Sequence, residues 1–169
     1  MVEQILAALQ RCRALMPKRR GKAFDTTRPL NDSGFLTERI MRLGNNREAG
    51  VQLKNHPLIR SVSINYEGNL GEVNIASHKA YREMKLAIDA KEMQRTLEQK
   101  GYKTEKTPLG KSNYAVRITK GGKQIAVVNA PGELGQVNVY IEPKHAKPII
   151  QILFARRLPV SRQLPKARK

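Results

Sequence analysis

The sequence of 169 residues has little cysteine and no long apolar run. Its single cysteine, Cys12, leaves no partner for an internal disulfide, and no cluster of cysteine and histidine offers a zinc site. No apolar run reaches the roughly 18 residues that a membrane-spanning helix requires, and residues 1–16 lack the layout of a signal peptide. These absences predict a protein without cofactor, metal or membrane association that resides in a reducing, cytoplasmic compartment.

Acidic residues are also scarce, since 14 aspartates and glutamates stand against 32 lysines and arginines, for a net charge of +18. The excess is concentrated at the ends of the chain. Residues 1–24 carry a net charge of +5, and residues 144–169, which contain no acid, carry +8. A chain this basic attracts polyanions, and nucleic acids are the commonest of these inside cells. We expect a nucleic acid as the partner, with an anionic membrane surface or an acidic protein as the alternatives.

Aromatic residues are few: three Phe, five Tyr and no Trp. A protein that binds nucleic acid mainly by stacking bases on aromatic rings would normally have more of them. The composition therefore predicts contacts mainly to the phosphate backbone, with weak base preference.

Motifs that carry catalysis are missing. The sequence has no phosphate-binding Gly-x-x-x-x-Gly-Lys-Ser/Thr loop, no His-x-x-x-His pair and no carboxylate cluster for two metals. The three histidines, His56, His78 and His145, fall in separate segments near turns or helix starts, where surface or capping roles are expected. The stretch "KGGK" at Lys120 to Lys123 is compatible with a phosphate cradle, but a two-glycine hairpin turn explains it fully. We predict that the chain is not an enzyme.

Apolar spacing in the first half alternates between helical and strand periods. Residues 2–16 are predicted to form an amphipathic helix, followed by a basic loop, "PKRRGK", that is either a phosphate-binding or nuclear-targeting patch or a solubilising linker. A short helix containing Phe35 to Leu43, capped by Asp32 or Ser33, is predicted next. Strict alternation then predicts three antiparallel strands in residues 50–76. From Ser77, a predicted cap, helical spacing continues to Gly101, either as one broken helix or as two.

The second half repeats this plan. The segments "YKTEKTP", "YAVRITK", "QIAVVNA" and "QVNVYIE" read as strands, and Pro148 suits the first position of a final helix. Pro159 and Pro165 forbid continuation of that helix, so we expect a mobile basic tail beyond it.

Two short stretches of sequence resemble each other. "NYEGNLGEVNI" at residues 65–75 and "NAPGELGQVNV" at residues 129–139 share six identities, and a shift of 64 residues lays strands on strands around them. The pattern favours a duplicated sheet-then-helix unit. The alternative is two hairpins that both need glycine at left-handed turn positions, Gly68 or Gly71 in one and Gly132 or Gly135 in the other.

The alternation also divides the strands into two faces. The predicted core side comprises Val62, Ile64, Val73, Ile75, Val116, Ile118, Ile125, Val127, Val137, Val139 and Ile141. The opposite side comprises Ser61, Ser63, Asn74, Arg117, Thr119, Asn138 and Tyr140. This polar side is compatible with holding a nucleic-acid strand or with an ordinary solvated face. The candidate contacts are Lys18, Arg19, Arg20, Lys22, Lys103, Lys106, Lys111, Arg117, Lys120, Lys123, Tyr140, Arg156, Arg157, Arg162, Lys166 and Arg168.

Taken together, the patterns predict an α+β fold with antiparallel sheet in two similar halves. The expected organisation is an N-terminal helix and basic loop over residues 1–24, one domain over 25–158 with halves at about 34–100 and 101–158, and a basic tail over 159–169. The predicted function is non-catalytic binding of DNA or RNA, single-stranded favoured, as a regulator or accessory factor that forms homo-oligomers. The alternative is a structural RNA-binding component of a ribonucleoprotein or other large assembly. Association with a nucleoid, or with a nucleus in a eukaryote, would follow from either.

The double sheet-then-helix plan is similar in outline to the Whirly and PUR-repeat groups of single-strand binders. The resemblance rests on the order of elements and on no signature residue, and it implies an antiparallel sheet that binds single strands.

Overall fold

The computed structural model of the protein describes residues 2–16, 26–29, 35–43, 46–67, 70–79, 91–110, 113–130 and 136–155. Its helices are α1 (Val2–Leu15), α2 (Lys91–Gln99) and α3 (Ala146–Leu153), with a 3₁₀ turn at Pro143–His145 before α3. Its strands are β1 (Thr26–Pro29), β2 (Phe35–Leu43), β3 (Asn46–Leu53), β4 (Ile59–Glu67), β5 (Leu70–Lys79), β6 (Lys103–Leu109), β7 (Asn113–Lys120), β8 (Lys123–Ala130) and β9 (Gln136–Ile141). The predicted basic loop, the caps at Asp32 or Ser33, the turn glycines 68, 132 and 135, and the basic tail lie outside the described residues.

The described strands form one antiparallel sheet in the order β1-β2-β3-β4-β5-β9-β8-β7-β6. Strands β3 to β5 and β6 to β9 are the seven that alternation predicted, so the predicted α+β class with antiparallel sheet is confirmed. The last strand of the second half, β9, pairs with the last strand of the first half, β5, and this single ladder joins the halves into one sheet.

All three described helices cover the same face of the sheet, which we call the covered face. Ile5, Leu9 and Cys12 of α1, Met93 and Leu97 of α2, and Ile149 and Ile150 of α3 join one buried cluster with strand residues of a single parity, such as Val62 and Val139. Helix α1 is tied down further because Cys12 Sγ donates to the Val62 carbonyl at 3.3 Å and Arg13 Nη2 donates to the Pro143 carbonyl at 2.9 Å. The N-terminal helix therefore shares the core of the sheet, while the domain boundaries proposed near residues 24 and 158 remain predictions. None of the described helices is long and apolar enough to cross a membrane.

The helix predicted over Phe35 to Leu43 is wrong. These residues form strand β2, which pairs with β3 along its whole length, from Phe35 opposite Leu53 to Leu43 opposite Asn46. The apolar residues of this segment fit a helical spacing, but the intrinsic preference for a helix is weak, and pairing with the two neighbouring strands β1 and β3 outweighs it. The signal that points to the strand is the Gly44–Asn45 pair between β2 and β3, a composition typical of two-residue hairpin loops.

Two helix starts also differ from prediction. Ser77 does not cap a helix, because β5 continues to Lys79, and the fully buried Ser77 Oγ accepts from the Val137 N–H at 2.9 Å and donates to the His78 carbonyl at 3.0 Å. The β5–β9 pairing is irregular beside Ser77, so the Ser77 hydroxyl takes the place of a backbone acceptor for the Val137 N–H. Helix α3 begins at Ala146, which places Pro148 in its first turn, where a missing N–H costs no hydrogen bond.

The internal repeat remains a prediction. The strand order β3-β4-β5-β9-β8-β7 is symmetric about the β5–β9 ladder, which we call the central ladder. Within this ladder Ile75 pairs with Val139, its counterpart under the 64-residue shift. The shift fails one strand further out, because Ile75 pairs with Val62 whereas Val139 pairs with Val128 rather than with Ala126. The physical cause lies in the connections of these two ladders, because β4 and β5 are joined by two residues, 68 and 69, but β8 and β9 by five, 131 to 135.

Gly71 is needed for space rather than for a left-handed turn. It lies in β5 opposite Tyr66, and a Cβ built on it would stand 2.5 Å from Tyr66 Cε1 and 2.7 Å from Pro143 Cγ. We expect Gly71→Ala to lower the free energy of unfolding by about 1–3 kcal/mol, since the ring and the proline must both move. Gly50→Ala is the matched control, because its Cβ would meet only Ser63 Cβ at 3.6 Å. Urea unfolding of the two variants checks the prediction, and equal stabilities would contradict it.

Candidate nucleic-acid interface

The face of the sheet opposite the helices, which we call the open face, is lined by polar and small side chains. Alternation places on it all seven residues predicted for the polar side, and each is partly or fully exposed. The strand registers align them in rows across the sheet, one of which runs through Ser63, Asn74, Tyr140, Val127, Arg117 and Glu105. Within the described part of the chain no helix packs on this face.

Val127 was predicted to face the core and instead lies on the open face. Ile118 pairs with Ala126 and Thr119 with Gln124, which leaves Ile125 as an extra residue in β8. Such a bulge reverses the alternation beyond it, so Ala126 and Val128 are buried while Val127 pairs with Arg117 and Tyr140. The open face therefore has an apolar residue beside its central tyrosine.

Four exposed cations collect where β6, β7 and β8 meet at one end of the second half. We call Lys103, Arg117, Lys120 and Lys123 the basic cluster. Lys103 pairs with Thr119 and lies on the same face as Arg117, and neither side chain has an ion-pair partner among the described residues. Lys120 pairs with Lys123 across the turn, in which Gly121 and Gly122 have φ of 58° and 75°. The predicted two-glycine hairpin turn is thus confirmed.

The cations of this cluster do not all point the same way. Lys120 Nζ lies 4.8 Å from the ring centroid of Tyr102, which is buried beside α2. Lys123 Nζ lies 3.1 Å from Glu142 Oε1. Arg117 and Lys103 therefore lie on the open face itself. Lys120 and Lys123 lie at its rim, and their side chains would have to change rotamer to reach a ligand on the face.

The remaining predicted contacts are dispersed. Lys106 is exposed, but its Nζ lies 4.1 Å from the ring centroid of Tyr114 on the covered side, and Tyr140 is half-buried at the centre of the open face. Strand β6, which carries Lys103, Lys106 and Pro108, has no described neighbour on its outer side, and lysine and proline at such an edge also prevent unwanted strand pairing. Lys18, Arg19, Arg20, Lys22, Lys111, Arg156, Arg157, Arg162, Lys166 and Arg168 lie outside the residues that the structure describes.

A notch at the end of β9 was not predicted from the sequence. Strand β9 stops at Ile141, while β5 and β8 on either side continue, and a cavity of about 650 Å³ lies where β9 ends, lined in part by the next residues of the chain, Glu142 and Pro143. The Glu142 N–H still donates to the Ile125 carbonyl at 2.8 Å. We call this cavity the notch. Its lining includes Tyr66, Gly71, Glu72, Lys123, Val127, Tyr140, Glu142 and Lys144. Sequence reasoning missed Glu72, Glu142 and Lys144 because only the pairing of β5 with β9 brings Glu72 close to the other two.

The two carboxyl groups of the notch differ in environment. Burial raises the pKa of the Glu72 carboxyl, which has no ion-pair partner among the described residues. A hydrogen bond from Lys123 is the largest cause that lowers the pKa of the Glu142 carboxyl, and Lys144, with its Nζ 3.3 Å from Glu142 Oε1, adds to it. Glu142 thus forms ion pairs with both lysines of the notch, whereas no described residue forms an ion pair with Glu72.

These shifts predict opposite effects on stability as pH falls. The lowered pKa of Glu142 means that its stabilising contribution is present at neutral pH and is lost as pH falls through that pKa. Glu72, with a raised pKa, binds its proton more readily in the folded state, so stability rises as pH falls through that pKa. In a carboxyl-carbon NMR titration we expect Glu142 to titrate below Glu72. Lys123→Met should raise the pKa of Glu142 toward that of an ordinary glutamate. An unchanged Glu142 titration would show that Lys123 does not lower this pKa.

The three histidines make separate kinds of contact: His56 and His78 meet at one turn, and His145 meets a tyrosine. His56 is buried, and its Nδ1 accepts from the backbone N–H of Leu58 at 3.2 Å and of Ile59 at 2.8 Å, while His78 Nε2 lies 3.1 Å from the His56 carbonyl oxygen. His145 meets the Tyr102 ring edge-on at 6.3 Å. In the described ranges no group of three or more His, Cys, Asp or Glu side chains is placed to hold a metal ion.

The known proteins give no further guide to the site. Comparisons with protein-family models, with curated proteins and with solved structures find no significant match to this chain.

Proposed function

We propose that this chain is a non-catalytic nucleic-acid-binding protein that holds a single strand of DNA or RNA across the open face. The observation that carries the proposal is the coincidence of this polar face, on which no described helix packs, with the basic cluster at its end. Arg117 and Lys103 lie on the face itself, and Lys120 and Lys123 lie at its rim. Cations in this position supply the phosphate contacts from which most binding free energy of such proteins arises.

The chemistry of the face favours an extended single strand. Ser63 and Asn138 offer hydroxyl and amide groups to bases or sugars, and Tyr140 with Val127 offers a small apolar platform. Single-strand binders combine a basic track for the backbone with a few rings that meet the bases. Among the described residues Tyr140 is the one tyrosine on this face, so backbone contacts dominate and sequence preference is limited.

The charged ends favour a second candidate, a structural RNA-binding component of a larger particle. Residues 144–169 carry a net charge of +8 without an acidic residue, a composition typical of segments that run along RNA. The two candidates separate by sedimentation of cell extract, because an assembly component travels with a large particle whereas an accessory factor remains as a free, small oligomer.

The test of the first candidate is a filter-binding comparison of single- and double-stranded DNA and RNA of equal length. We expect single strands to bind most tightly. If about six phosphates are neutralised, a plot of the logarithm of the binding constant against the logarithm of the salt concentration should have a slope of about −4. A slope flatter than about −1 on every oligonucleotide would refute electrostatic binding.

A further inference from the structure

The notch is suited to a neutral, flat ligand rather than to a phosphate. Of its four charged side chains, Lys123 and Lys144 oppose Glu142 and Glu72, so the lining has no net charge. Both lysines are held by Glu142 Oε1, at 3.1 and 3.3 Å. A phosphate entering the notch would have to displace this arrangement and would meet the Glu72 carboxylate, whose charge repels it.

The shape of the notch is set by aromatic and backbone groups. Tyr66 is fixed over Gly71, whose missing side chain leaves room for the ring, and Tyr140 and Val127 border the side that opens on the open face. Pro143, which follows β9, also lines the notch, so Tyr66, Tyr140, Val127 and Pro143 offer apolar surface against which a planar ring system packs. The volume, about 650 Å³, lies in the usual range of small-ligand sites.

Glu72 decides which ring system fits. Glu72 lines the notch, and it is the one charged residue there that forms no ion pair with another described residue. An ionised carboxylate only accepts hydrogen bonds and can accept two parallel ones. Among the nucleobases, guanine alone presents two adjacent N–H donors, N1–H and N2–H, on its Watson–Crick edge, whereas thymine and uracil flank their single N–H with carbonyl oxygens that a carboxylate repels.

We infer that the notch receives one guanine base of the bound strand, with the Glu72 carboxylate accepting hydrogen bonds from the adjacent N–H groups of the base. The inference rests on the proposed function, because the strand lying on the open face is what delivers the base. It adds a single position of base preference to a surface that otherwise contacts the backbone.

The experiment measures the affinity of two labelled 15-residue DNA strands by fluorescence anisotropy. One strand is oligo(dT), and the other repeats TTG, so that its guanines are isolated and do not associate with one another. We expect the TTG strand to bind about tenfold more tightly than oligo(dT), which is the discrimination that one good contact of two hydrogen bonds to a base provides. Glu72→Gln keeps the size of the side chain but loses one of the two acceptors, and it should reduce this ratio to about 1.

Glu105→Gln is the matched control. Glu105 is also an exposed glutamate on the open face, opposite Arg117 and away from the notch, and its replacement changes the net charge equally. Both variants should bind oligo(dT) slightly more tightly than the wild type, but only Glu72→Gln should lose the preference for guanine. The inference is overturned if the wild type binds both strands equally or if both variants lose the preference together. If neither strand binds at low salt, the proposed function itself fails.

Discussion

Replacing Arg117, Lys120 and Lys123 together by glutamine is expected to weaken single-strand binding about 100-fold at 0.1 M salt. Each cation that leaves a phosphate contact removes a term of about 0.7 from the slope of log K against log salt concentration, so the slope should become shallower by about 2. The three side chains are exposed, at one end of the sheet, and outside the buried core. The thermal midpoint should therefore change little. Filter binding at several salt concentrations, with a melting curve for each variant, measures both effects.

A variant with the same loss of charge elsewhere separates local contact from general attraction. Lys54, Arg60 and Arg95 are exposed cations outside the basic cluster, and their joint replacement by glutamine also removes three positive charges. We expect this control to lose only a few-fold in affinity. Equal losses in the two triple variants would mean that net charge, not the basic cluster, provides the binding.

The second large effect concerns α1. Ile5 is fully buried in the core cluster between α1 and the sheet, whereas its neighbour Gln4 is exposed on the same helix. Ile5→Asp places an unpaired carboxylate in this core, and we expect it to cost about 4 kcal/mol or more, a large part of the total stability of a small domain. Gln4→Asp introduces the same side chain at the adjacent position and should change stability by less than about 0.5 kcal/mol.

Urea denaturation followed by circular dichroism compares the two aspartate variants. Should Ile5→Asp unfold at the same urea concentration as Gln4→Asp, α1 would not be part of the cooperative core. The N-terminal helix would then be an appendage, as a boundary near residue 24 implies.

The strands were predictable where the two faces of the sheet differ. In β4, β5 and β9, buried residues such as Ile64 and Val139 alternate with polar ones, because the described helices all pack on the same face. Strand β2 was not predictable in this way, since the spacing of its apolar residues also fits a helix and only its partners in the sheet decide between the two. The bulge at Ile125 was also not predictable from the sequence, because a residue of β8 is extra only relative to the register of its partner strand β7.

The candidate site was predictable only in part for the same reason. Charge and alternation pointed to Arg117, Lys120 and Lys123, which are close in sequence and meet across one turn. The notch depends on Glu72 and Glu142, which lie far apart in sequence and are brought together by the pairing of β5 with β9. Contacts of that kind follow from the topology of the whole sheet, which no local pattern of residues encodes.

The central ladder also bears on how the chain folds during its synthesis. Strand β5 is complete long before its partner β9 emerges from the ribosome, because Val73 must wait for Ile141. In the meantime one edge of the first half is open to pairing with another nascent chain, which is a known route to aggregation and to domain swapping. Ribosomes that translate one message in close succession would raise the risk, and slower growth of the chain before β9 would prolong it. We therefore expect the yield of folded protein to depend on the rate of translation through the second half and on chaperones that shield the edge of β5.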